Sequence, residues 1–108
     1  MQPDKIKQQF AQVEQCVKQA TQACQADQAA SQELKDSVRE LRDQSRQAHE
    51  FMQGTKDEAS MRQCIDDLEE SSDRAKQACE SAGNVSPKVK EAVQRAHQTI
   101  SQLKHQLH

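Results

Sequence analysis

The sequence predicts an all-α protein, an antiparallel four-helix bundle built from two tandem helical hairpins. Three observations carry this expectation. Apolar and small residues recur at alternating steps of 4 and 3 in four separate stretches, the spacing that lines one stripe of a helix. Only two glycines and two prolines interrupt a chain rich in Gln, Ala, Lys, Glu and Arg, a composition that favours helix over sheet. The second half of the chain also repeats the pattern of the first, in phase, when Met1 is laid on Lys56.

The first stretch runs through Ile6, Phe10, Val13, Val17, Ala20 and Cys24. The second uses Leu34, Val38, Leu41, Ser45, Ala48 and Met52, and the third Met61, Ile65, Leu68, Ser72, Ala75 and Cys79. Val89, Val93, Ala96, Ile100, Leu103 and Leu107 form the fourth. Residues between them are mostly polar, so each stretch reads as an amphipathic helix with a narrow, coiled-coil-like apolar face. Gly54 followed by Thr55-Lys56-Asp57-Glu58 reads as a helix-ending glycine and a capping box for the third helix. Gly83-Asn84 is placed to close that helix, and Ser86-Pro87 offers an N-cap followed by proline at the first helical position.

The first break is the weak one. The segment 25–31 contains neither Gly nor Pro, so one long helix through it is the competing architecture. Laying the two halves over each other places Ile6 on Met61, Cys24 on Cys79, Ser31 on Ser86 and Met52 on Leu107, with every stripe residue landing on another. Few aligned positions are identical, little more than biased composition reaches by itself. The shared phase says more, because the offset is not a whole number of heptads. The turn at 83–87 therefore predicts a matching turn at 28–31, and hairpin repeats over about 3–53 and 56–108 within a single domain.

Ala20, Ser45, Ser72, Ala75, Ala96 and two cysteines occupy stripe positions where leucine would bury more. The core is expected to be thin, and a homodimer would bury more surface. Several function classes fall away. No apolar run approaches the roughly 20 residues of a membrane span, which predicts no membrane partner. No signal-like stretch follows the N-terminus, so the cytoplasm is the expected location. With 15 Lys+Arg against 17 Asp+Glu, a net charge of −2 and no basic run, no nucleic-acid partner is expected.

Cys16, Cys24, Cys64 and Cys79 form no C-x-x-C pair. Cys24 and Cys79 are repeat-equivalent stripe positions in the last turns of helices one and three. They are the candidate pair for a copper, zinc or redox site, read against packing as small buried hydrophobes. Diagonal helices would hold them too far apart for a disulfide. Cys16 and Cys64 flank their stripes. His49 and His97 sit beside theirs, His105 points away, and His49, Cys64 and His108 share a height without converging. No Glu-x-x-His pair exists for a di-iron site, and Met52 and Gln53 stand where a phosphotransfer histidine domain would carry lysine and glycine. The acidic run Asp66, Asp67, Glu69, Glu70 and Asp73 reads as a solvated face, and Arg39-Glu40, Arg42-Asp43 and Arg46 as local charge pairing.

Glutamine is the compositional oddity, the commonest residue type in the chain. Gln8, Gln12, Gln15, Gln19 and Gln22 make a second, polar stripe on helix one, and Gln94, Gln98, Gln102 and Gln106 a similar row on helix four. Such rows are candidates for a contact with a partner helix, or are simply exposed faces made of a good helix former. The expectation is thus a non-enzymatic bundle that binds another protein, of unknown identity, or itself. The alternative is a thiol-based metal or redox protein. No catalytic residues and no cofactor are expected.

Overall fold

Four helices form where the four stripes lie. In the computed structural model, which describes residues 3–54, 57–83 and 85–107, α1 spans Pro3–Ala26, α2 Gln32–Gln53, α3 Glu58–Ser81 and α4 Pro87–Leu107. The self-match lays Pro3 on Glu58 and Ala26 on Ser81, so α1 and α3 begin and end at equivalent positions. It also lays Gln32 on Pro87, the first residues of α2 and α4. Every stripe residue is buried, with Ile6, Val13, Leu34, Leu41, Met61, Ile65 and Ile100 at 0% exposure. The 4-3 spacing therefore faces one shared core along the whole length of each helix.

The helices pack as a square. Both α1 and α3 pack against α2 and α4, α1 meets α3 briefly across one diagonal, and α2 stays clear of α4. A 24-residue helix is about 36 Å long, which accounts for the 42 × 22 × 17 Å extents. No helix among the described residues is long and apolar enough to cross a membrane.

Capping chemistry sets the ends. Ser31 caps α2 by accepting from Leu34 N at 3.2 Å, and Ser86 caps α4 by accepting from Val89 N at 3.3 Å. Both bonds satisfy an amide that has no partner within its own helix. Ala30 and Val85, one position before each cap, are buried and close the same end of the core. The chain turns between α1 and α2 without glycine because Asp27 supplies the turn. Its Oδ1 accepts from Ala29 N at 3.0 Å, an Asx turn, while Oδ2 accepts from Ser86 N at 3.1 Å. One carboxylate thus ties the first turn to the α4 cap. After α3, Gly83 takes φ 64°, the left-handed conformation that glycine adopts without penalty. Pro87 opens α4 as expected.

The α2–α3 connection differs from expectation. Gly54 ends α2 in a right-handed conformation, φ −99°, donating its N–H to the Phe51 carbonyl, so nothing there requires glycine. The N-cap of α3 is Asp57, whose carboxylate accepts from Ala59 N at 3.2 Å and Ser60 Oγ at 2.6 Å. A carboxylate directly before the helix satisfies its first amides and favours its positive end. Thr55 and Lys56 lie outside the described residues, as do Asn84 and His108.

Candidate functional site

The two stripe cysteines lie at the bundle end where α1 and α3 finish. Both are buried in the core, Cys24 at 2% and Cys79 at 4% exposure. Burial pushes both thiols above the ordinary range, only partly offset by Lys35 at Cys24 and Lys90 at Cys79. A raised thiol stays protonated, which opposes both metal ligation and nucleophilic attack. Cys64, half-buried, is also raised by burial and then by Asp67. Cys16 faces α4: Thr99 Oγ1 donates to the Arg95 carbonyl at 2.8 Å, which leaves the Cys16 thiol as donor to Thr99 across 3.5 Å. All four cysteines are free. Among the described residues no three His, Cys, Asp or Glu side chains converge as metal ligands would.

The histidines and the acidic run serve interhelical pairing. His49 Nδ1 donates to Glu14 Oε1 at 2.9 Å, joining α2 to α1. Lys104 Nζ donates to Glu69 Oε1 at 2.8 Å, joining α4 to α3, and this lysine is held above its usual range by that bond first. Glu14 and Glu69 are 55 positions apart, the offset of the self-match, as are His49 and Lys104, so both helix pairs are clasped at matching positions. His97 pairs with Asp73. The acidic run is therefore not simply a solvated face, because Glu69 and Asp73 are engaged by α4. Nor does the α2 charge pattern pair only with sequence neighbours. Arg42 contacts Asp43 at 3.2 Å, but Glu40 reaches Arg74 of α3 at 2.6 Å. Ser71, buried beside them, hydrogen-bonds Gln44. His105 is exposed.

The glutamine rows are on the outside. Gln8, Gln12, Gln15, Gln19, Gln22, Gln94, Gln98, Gln102 and Gln106 are all exposed. Because α1 packs against α4, the two rows occupy neighbouring helices. They do not form a single flat strip. Gln19 and Gln22 border a groove of about 580 Å³ between α1 and α4, whereas Gln94 and Gln98 line one of about 370 Å³ beside Lys76 and His97.

One surface escapes a reading of the sequence in one dimension. Between α1 and α2 runs a groove of about 620 Å³ with Ala11, Val17, Thr21 and Ser45 among its uncharged residues. Lys18, Arg42, Arg46 and His49 line it, against the single carboxylate Glu14. Towards the turn it continues past Lys35 and Arg39. Its α2 edge is Lys35, Arg39, Arg42, Arg46 and His49, itself a 4-3-4-3 series that a search for cationic stripes would have found. No protein-family model, curated protein or solved structure matches this chain.

Proposed function

We propose that the chain is a non-enzymatic helical-bundle protein that acts by binding another protein, or a second copy of itself, through its outer helix faces in a reducing cytoplasm. The observation that supports this reading most is the disposition of glutamine. The bundle uses its apolar stripes internally, yet places uncharged amides along neighbouring helices α1 and α4, exposed and without side-chain hydrogen bonds to the rest of the described residues. Each amide offers two donors and two acceptor sites without fixing the charge of what it meets. Polar groups of this kind suit a helix-on-helix contact that forms from a soluble state.

The test is capture of partners from a native extract by the full chain, beside a Gln12→Glu, Gln19→Glu, Gln102→Glu variant whose fold is verified by its helical circular dichroism. The variant should lose a specifically retained protein. Equal retention by both chains would refute a role for the amide face.

A further inference from the structure

Two surfaces on opposite edges of α2 carry opposite charge. The first is the α1–α2 groove, where Lys18 and Arg46 are exposed and form no ion pair among the described residues. Small residues at Ala11, Thr21 and Ser45 open this groove, and α1 and α2 make the least extensive contact of the four neighbouring helix pairs. The second lies on the other edge of α2, against α3. There Phe51, the one large hydrophobic residue exposed among the described residues, is 45% accessible. It borders a hollow of about 350 Å³ that also includes Asp67 and Glu70 and no cation.

We propose that the α1–α2 groove docks the Phe51 knob of a second copy of this chain, with Asp67 and Glu70 of that copy facing Lys18 and Arg46. This rests on the interaction reading above and names the partner for its self-association branch. An aromatic anchor entering a groove whose small uncharged residues Ala11, Thr21 and Ser45 lie among cations, with carboxylates of the other copy facing those cations, is the arrangement in which a few residues carry most of an interface's affinity.

The register agrees. The Glu14–His49 and Gln44–Ser71 contacts set the heights of α1 and α3 against α2. By that scale Lys18 lies beside Ser45 and Arg46, while Glu70 and Asp67 fall level with Ser45 and Ala48. Carboxylates and cations therefore occupy the same height on opposite edges of α2. A two-fold axis parallel to the bundle sets α2 beside α2 in the same direction and brings each cationic edge to the other copy's anionic edge. The contact is then reciprocal and closed. An antiparallel arrangement would set Lys18 and Arg46 against themselves. Asp36, Asp43 and Glu50, seven residues apart and all exposed on the outward line of α2, each face their own equivalent in the parallel arrangement, so the dimer carries a built-in like-charge cost at three levels.

Sedimentation equilibrium of the full chain over a concentration series, at low and high salt, reads the proposal. The wild type should dimerise at low salt and dissociate as salt screens the charged rim. Lys18→Glu with Arg46→Glu should be monomeric, as should Asp67→Lys with Glu70→Lys, and an equimolar mixture of the two should associate again. Phe51→Ser should weaken association by roughly tenfold or more, and Glu50→Gln should strengthen it. A wild type that is monomeric throughout overturns the proposal, as do reversal variants that dimerise like the wild type or a mixture that does not associate. Poly-glutamate binding to a monomeric wild type at Lys18 and Arg46, read from amide shifts, would also overturn it by assigning the groove to a different acidic chain. A monomer whose amide face still captures a partner removes this dimer and leaves the proposed function standing.

Discussion

The two phenylalanines should respond to truncation in opposite ways. Phe10 is 2% exposed within the core, whereas Phe51 is 45% exposed on the α2 surface. A buried phenylalanine removes about 150–250 Å² from water, worth about 4–6 kcal/mol at 25 cal/mol per Å². Truncation of such a residue to alanine costs about 3–5 kcal/mol. A chain of this length has about 5–15 kcal/mol of stability in all, and this core contains alanine, serine and cysteine at many stripe positions, so Phe10→Ala should remove a third or more of the total. In a domain this size that lowers the midpoint of thermal unfolding by about 12 °C or more. Phe51→Ala should cost less than about 1 kcal/mol at protein concentrations below any self-association. Urea denaturation followed by helical circular dichroism measures both. If Phe10→Ala proves too unstable to study, Phe10→Leu preserves the comparison with a smaller loss. Equal effects at the two positions, or a Phe10→Ala loss under about 1 kcal/mol, would refute the burial reasoning.

Other consequences follow from the caps, the carboxylates and the thiols. Ser31→Ala and Ser86→Ala should each cost about 1 kcal/mol in urea unfolding, because each removes one N-cap bond of the same kind; a null effect at either would contradict its cap. Asp27 is held below its ordinary range, first by the Ser86 amide and then by that of Ala29. Its contribution is therefore complete above the unfolded value of about 3.9 and lost as pH falls through the lower folded value. An acid titration of stability should show a steeper loss for the wild type than for Asp27→Asn; parallel curves would refute the clamp. Cys24 and Cys79 should react with a disulfide reagent only as the bundle opens, while all four thiols react in denaturant. Rapid native modification of either, or stoichiometric zinc or copper by elemental analysis, would contradict their role as packed neutral thiols.

The core was legible from the sequence because burial in a helix obeys a strict period, and no stripe residue from Ile6 to Leu107 escapes it. The first turn was legible only through the second half of the chain. The segment 27–31 contains no glycine or proline, and its turn comes from Asp27 and a serine cap, a chemistry that most of the chain's other aspartates and serines do not perform. Position 57 shows a different problem: the capping-box spacing draws attention to Thr55, which lies outside the described residues, while Asp57 between it and the helix is the N-cap. Residues of the cationic groove are spread over two helices and cancelled in the net charge by acids such as Glu40, Asp43 and Glu50 on other faces of α2. A sum of −2 therefore concealed it. Glu14 and His49 are far apart in sequence, as are Glu69 and Lys104, so their pairing becomes visible only once the antiparallel register of the packed helices is known.

Small-angle X-ray scattering of the full chain, extrapolated to zero protein concentration, tests the two-hairpin bundle most directly. Folded hairpins give a radius of gyration near the backbone value of 13.6 Å and a longest dimension near 42 Å, each enlarged only by side chains and hydration. A continuous helix through residues 3–53 would instead be about 75 Å long, and scattering that required such a rod would contradict the bundle.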